Sequence, residues 1–210
     1  MHSHQIVSSI SRQVYQNPAT RTNAAPKGRV RRLPSIYKQG SHAAFYNFAS
    51  ITWQLSGLGG LTIAGLWVLG VLAEIVVFAL SPRFTLPPSA LVVIGGLCAV
   101  LRWLLTAQEP AVAVLAVIQL AHGLSFGLTQ LGTMGLLVRH VPVHMMARGQ
   151  GYFTACSGIV AGAASILSGA VYARYGQGVY YVMSVMALSG AILMWLAQRH
   201  GVFERKPAPL

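Results

Sequence analysis

The 210 residues are 54% hydrophobic and 9% charged, with a mean hydropathy of +0.58, whereas about a quarter of an average soluble domain is charged. Fifteen Lys and Arg face three acids, Glu74, Glu109 and Glu204, and Asp is absent, which gives a net charge of +12. That balance excludes a water-soluble globule, most carboxylate-pair enzymes, calcium loops and magnesium-dependent phosphoryl transfer.

Residues 1–38 form a polar tail rich in Ser, Asn, Gln and Arg, with Pro18, Pro26 and Pro34 and the basic run Lys27, Arg29, Arg31 and Arg32. The tail lacks the apolar run of a signal peptide, so Sec cleavage is not expected, and its prolines oppose an amphipathic transit helix. The expectation is a disordered basic cytoplasmic tail held near anionic lipid. Six apolar stretches follow, at 41–58, 61–80, 89–107, 111–138, 149–172 and 178–197, each long enough to cross about 30 Å of hydrocarbon as a helix. Gly57, Gly59 and Gly60, then Pro82, Pro87 and Pro88, Pro110, Pro142, and Gly176 with Gly178 punctuate them. The connections are short, so neighbouring helices are expected to run antiparallel in a bundle over 39–198, with 199–210 as a cytoplasmic C-terminal tail. With the N-terminus inside, thirteen of the Lys and Arg fall on the cytoplasmic side and only Arg174 opposite, so both termini are expected to be cytoplasmic. Basic residues placed this way point to membrane topology and not to a nucleic-acid partner.

Polar groups inside the spans carry the functional signal. In the first span, SHAAFYNFASITWQ puts His42, Tyr46, Ser50 and Trp53 on one helix face with Asn47 and Gln54 beside it. Such a face borders either an aqueous pathway or an aromatic interfacial belt. Glu74 lies two-thirds of the way along the second span, Arg102 deep in the third and His122 in the middle of the fourth. A charge at mid-bilayer costs about 2.5–3.5 kcal/mol on insertion scales, so each needs a partner, a cavity or a snorkelling exit. The functional reading is proton-coupled transport with Glu74 as proton acceptor. The structural alternatives are Arg102 paired with Glu74 or snorkelling, and His122 bonded to a carbonyl. In the fourth span Gln119, His122, Phe126, Thr129 or Gln130, and Thr133 recur every three or four residues, an inward polar stripe of the kind that lines a cavity.

In the fifth span Ala161, Ser165 and Gly169, with Gly158xxxGly162, permit close helix contact. Cys98 and Cys156 sit in spans without CxxC or Cys/His metal spacing and read as small packing residues, so no metal or cofactor is expected. No nucleophile has an adjacent base and orienting carboxylate, and His140 and His144 flank Pro142 in a basic loop, so an enzyme is not expected.

The segments SHAAFYNFASITWQLSGLG, GLWVLGVLAEIVVF, LRWLL, QLAHGLSFGLTQLG and RGQGYFTACSGIVAGAASILSGAVY, in that order, resemble the C-terminal half of a major facilitator superfamily transporter. The resemblance covers about residues 39–198. It is strongest to the phenylpropionate permease group, related to the nucleoside and lactose proton symporters. It implies an all-α membrane protein whose six transmembrane helices, the family's seventh to twelfth, form one half-bundle of a rocker-switch carrier in the bacterial inner membrane. Related galactoside symporters carry an acid, an arginine and a histidine on the eighth, ninth and tenth helices, which correspond in kind to Glu74, Arg102 and His122. The acid those symporters place one turn after the histidine is Ser125 here, which implies that Glu74 serves both substrate and proton. The short loop SPRFTLPP also lacks the family's basic Gly-rich motif.

The function so implied is secondary active, proton-coupled transport of a small organic solute such as an aromatic acid. Arg102 would attract the carboxylate, Trp53 and Trp103 would offer stacking surface, and His42, Tyr46, Gln119, Phe126, Thr129 and Gln130 would line the cavity. The expected partners are the lipid bilayer, protons, the solute and a second six-helix half. That half would be another copy, a separate chain or an N-terminal part missing from a truncated reading frame. The alternative is a non-transporting six-helix subunit retained for assembly with another membrane complex.

Overall fold

Hydropathy this high with scattered glycine and proline favours apolar helices broken at short turns, and a computed structural model, which describes residues 41–201, has that form. The tail at 1–38 and all but Arg199, His200 and Gly201 of the C-terminal segment lie outside the described residues. Helix α1 (Ala43–Leu55) ends where Gly57 takes φ +83. There the Leu58 N–H reaches the Trp53 carbonyl (2.9 Å) and the Gly57 N–H the Gln54 carbonyl (3.0 Å), the paired bonds of a Schellman cap. Helix α2 (Gly60–Ala79) follows directly, then a 3₁₀ turn at Ser81–Arg83. Helix α3 (Pro88–Thr106) starts with proline in the first turn, where its missing N–H costs nothing.

The fourth expected span is one rod of three pieces: α4 (Val112–His122), a π-helical turn (Gly123–Gly127) and α5 (Leu128–His140). A π turn accommodates an extra residue and is frequent at functional sites. Helix α6 (Met146–Tyr175) is the longest, at 30 residues, and Gly176 with φ +53 separates it from α7 (Val179–Arg199). Every one of these boundaries lies within three residues of the expected spans.

Among the described residues, four stretches are long and apolar enough to cross a membrane: Gly60–Ala79, Pro88–Thr106, Val112–His140 and Val143–Arg199. Helix α1, at 13 residues, falls short of that length, and the last stretch holds both α6 and α7, which is why four stand where six were expected. Leu61, Val68, Val71, Ile75 and Val76 of α2 are exposed. Apolar surface of this extent is untenable in water and natural against lipid, so the chain is an integral membrane protein.

Helix α3 is the hub of the packing, with α7 along one side and α5 along another. Helix α2 lies against α4 and the π turn, and α1 against α6. The core is aromatic: Phe45, Trp53, Trp103 and Tyr180 pack with Leu66, Leu115 and Met183. Phe48 stacks on Tyr172 at 4.3 Å, and the Thr52 and Tyr172 hydroxyls bond at 2.7 Å, which ties α1 to α6.

Candidate functional site

Glycine decides where the polar residues meet. A Cβ on Gly123 would lie 2.5 Å from both the carbonyl carbon and the oxygen of Ala73, and one on Gly127 would lie 2.9 Å from Val77 Cγ1. The π turn therefore rests directly on the α2 backbone. Glu74 follows Ala73 and His122 precedes Gly123, so this close approach delivers the two side chains to each other. The Glu74 Oε1 to His122 Nε2 distance is 2.7 Å. With one proton between those two atoms, either the imidazole or the carboxyl is the donor. The Tyr46 hydroxyl lies 3.5 Å from the same nitrogen, and His122 Nδ1 is buried without a hydrogen-bond partner.

The π turn also loosens the backbone ladder, and hydroxyls repair it. Ser125 Oγ–H donates to the His122 carbonyl (3.1 Å) and Thr129 Oγ1–H to the Ser125 carbonyl (2.6 Å). The slip in register places Thr129 and Thr133 on the buried side, whereas Gln130 is half-buried. Phe126 stacks on His122 at 5.5 Å.

Arg102, 1% exposed, does not pair with Glu74 and does not snorkel. Its Nε–H donates to the Ile118 carbonyl and its Nη2–H to Gln119 Oε1, both at 3.2 Å. The Phe45 and Trp103 rings, themselves packed 5.4 Å apart, each lie 4.5 Å from the guanidinium carbon, within cation–π range. His42 links the two halves of the site, with its ring 5.0 Å from Trp103, 5.7 Å from His122 and 5.9 Å from Phe126.

The structure thus gathers Glu74, Arg102, His122, His42, Tyr46, Trp103, Gln119 and Phe126 into one cluster on α1 to α4 and the π turn. Trp53 stands apart, enclosed in the core against Phe45 at 5.8 Å, and Trp103 is itself fully buried. Cys156 is exposed on α6, not packed within the chain, because that face of α6 has no neighbour among the described residues. Also among the described residues, no three His, Cys, Asp or Glu side chains converge as a metal site would require.

Sequence reasoning passes over Phe45, Trp67 and Gly70. Trp67 stacks on Tyr46 at 6.0 Å and donates to Ser50 Oγ at 2.9 Å. Gly70 faces His122 and Gln119. The signal was present, since 67, 70 and 74 have the i, i+3, i+7 spacing of one helix face. In a span whose residues around 67 and 70 are all apolar it does not stand out.

Residues 34–183 match the MFS_1 like family. The chain is 31% identical over 157 residues to the "Probable 3-phenylpropionic acid transporter" of Escherichia coli (strain K12). That alignment covers 74% of this chain and 41% of the relative, so the chain spans less than half the length of the curated relative it matches. No solved structure matches it.

Proposed function

The chain belongs to the MFS_1 like family of the major facilitator superfamily, and from that premise we propose that it forms the C-terminal six-helix half of a proton-coupled secondary transporter. In this reading the first span, 41–58, is completed around α1, and α6 and α7 cross separately. Both termini are cytoplasmic and the host is the bacterial inner membrane, in keeping with the placement of Arg83, Arg139, Arg148 and Arg199 at one set of helix ends. A second six-helix half supplies the opposite wall of the cavity. The solute is a small aromatic acid, by likeness to the relative's name.

One observation carries the proposal: the Glu74–His122 contact at 2.7 Å, in a bundle otherwise made of apolar spans. An acid placed there at the cost of desolvation needs a use or a partner, and this one has a partner able to exchange a proton with it. The pair takes up a proton on one side of the membrane and releases it on the other, while Arg102 holds the solute's carboxylate. Closure of the two halves keeps water from the pair during the crossing.

Glu74→Gln tests this in vesicles under an imposed pH gradient. The variant is expected to lose accumulation of phenylpropionate above equilibrium while still exchanging internal for external solute. Undiminished accumulation would contradict the proposal.

A further inference from the structure

Resting on that reading, we infer that Gln119 is the positioning residue that makes the site select an anion: it orients Arg102 through a neutral acceptor, leaving the guanidinium without an ion-pair contact and its buried Nη1 to pair with the carboxylate of an aromatic acid. The orientation of the Gln119 amide is settled by its second partner. Its Nε2–H donates to the Leu66 carbonyl at 3.1 Å, and because a carbonyl can only accept, the amide oxygen must face Arg102. Gln119 and Arg102 are each 1% exposed, so neither bond competes with water. The amide thus ties the α2 backbone, through α4, to a side chain of α3.

Arg102 is held on two of its three nitrogens and packed against two adjacent aromatic rings. Only Nη1 remains, buried and without a hydrogen-bond partner. The indole Nε1–H of the adjacent Trp103 is likewise buried and unpartnered. Two such donors on neighbouring residues, beside a cation, ask for an acceptor that carries negative charge. Neither described acid meets that need: Glu74 is engaged by His122, and Glu109 lies past the end of α3 in the turn before Pro110. A carboxylate at position 119 would have neutralised Arg102 internally, and the amide found there does not.

The test is binding to the native protein in detergent, read by tryptophan fluorescence, with phenylpropionate and its uncharged analogue phenylpropionamide as probes. The wild type is expected to prefer the acid by about tenfold or more, the scale of one hydrogen bond to a charged group. Gln119→Glu should bring acid and amide to within about twofold of each other, because the internal ion pair removes the demand for an anion while the aromatic surfaces persist. If the carboxylate introduced by Gln119→Glu repels the Leu66 carbonyl enough to unfold that variant, Gln119→Leu serves instead. It is expected to weaken acid binding selectively by releasing Arg102 from its set orientation. A merely structural role for Gln119 would lower both affinities together and leave their ratio intact, and that result, or equal binding of the two probes by the wild type, would overturn the inference. A protein that, together with its second half, separates acid from amide yet moves neither across a vesicle would overturn the transport reading and leave this one standing.

Discussion

The glycines of the fourth span and those of α6 are the same residue in opposite circumstances. On the π turn and α5, a Cβ at Gly123, Gly127, Gly132 or Gly135 would meet Ala73, Val77, Val92 or Pro88 closer than side chains ever approach. On α6, a Cβ at Gly151, Gly158 or Gly162 would meet nothing within 4 Å, and at Gly169 only Phe48 Cζ at 3.9 Å. Glycine in the first set brings two backbones together and so sets the position of Glu74 against His122. Glycine in the second set leaves a helix face bare of the other described residues. Gly123 with Gly127 and Gly158 with Gly162 share the GxxxG spacing, yet among the described residues only the first pair makes contact.

The strongest way to break this contrast is Gly123→Ala. The obstruction is Ala73 backbone, which cannot turn aside, so α2 must retreat and carry Glu74 away from His122. We expect loss of accumulation together with about 3 kcal/mol of destabilisation, the upper range for overpacking, measurable as a lower midpoint in denaturant. A functional, equally stable variant would show that the close approach is dispensable. Ser125→Ala sharpens the picture at smaller scale. It removes the hydroxyl bonded to the His122 carbonyl and should cost about 1 kcal/mol in the same assay, with the site otherwise intact. Gly158→Ala and Gly162→Ala should change the midpoint least, by about 0.5 kcal/mol or less, since each adds a methyl to open space. If transport falls in these two while stability holds, the bare face of α6 meets the second half of the carrier.

How much of this was legible in the sequence follows from what periodicity encodes. Apolar runs and proline or glycine breaks are local, and the helix boundaries reflect that: Gly60–Ala79 and Pro88–Thr106 each differ by one residue at either end from the expected 61–80 and 89–107. The polar residues that enter the cluster were also legible, because charge in an apolar span is conspicuous. Their pairing was not. Whether Glu74 meets Arg102 or His122 depends on how α2 is rotated and how deep it sits, and that depends on Gly123 against Ala73, a partner that the GxxxG spacing of Gly123 and Gly127 does not specify. The π turn escaped for a related reason. A constant helical period leaves Thr129 and Gln130 as equal candidates for the inner face, and only the inserted residue in Gly123–Gly127 resolves the choice toward Thr129. Trp53 has the spacing of the site face but is turned into the core by its contacts with Phe45 and Trp67.

The central claim, that the Glu74–His122 pair handles the proton that moves with the solute, is tested most directly by proton uptake itself. Phenylpropionate is added to lightly buffered, de-energised vesicles carrying the native protein, and the external pH is followed with an electrode. The account predicts alkalinisation on addition of solute with the wild type, and none with Glu74→Gln although solute still equilibrates. Alkalinisation of equal size in the Glu74→Gln variant would contradict it.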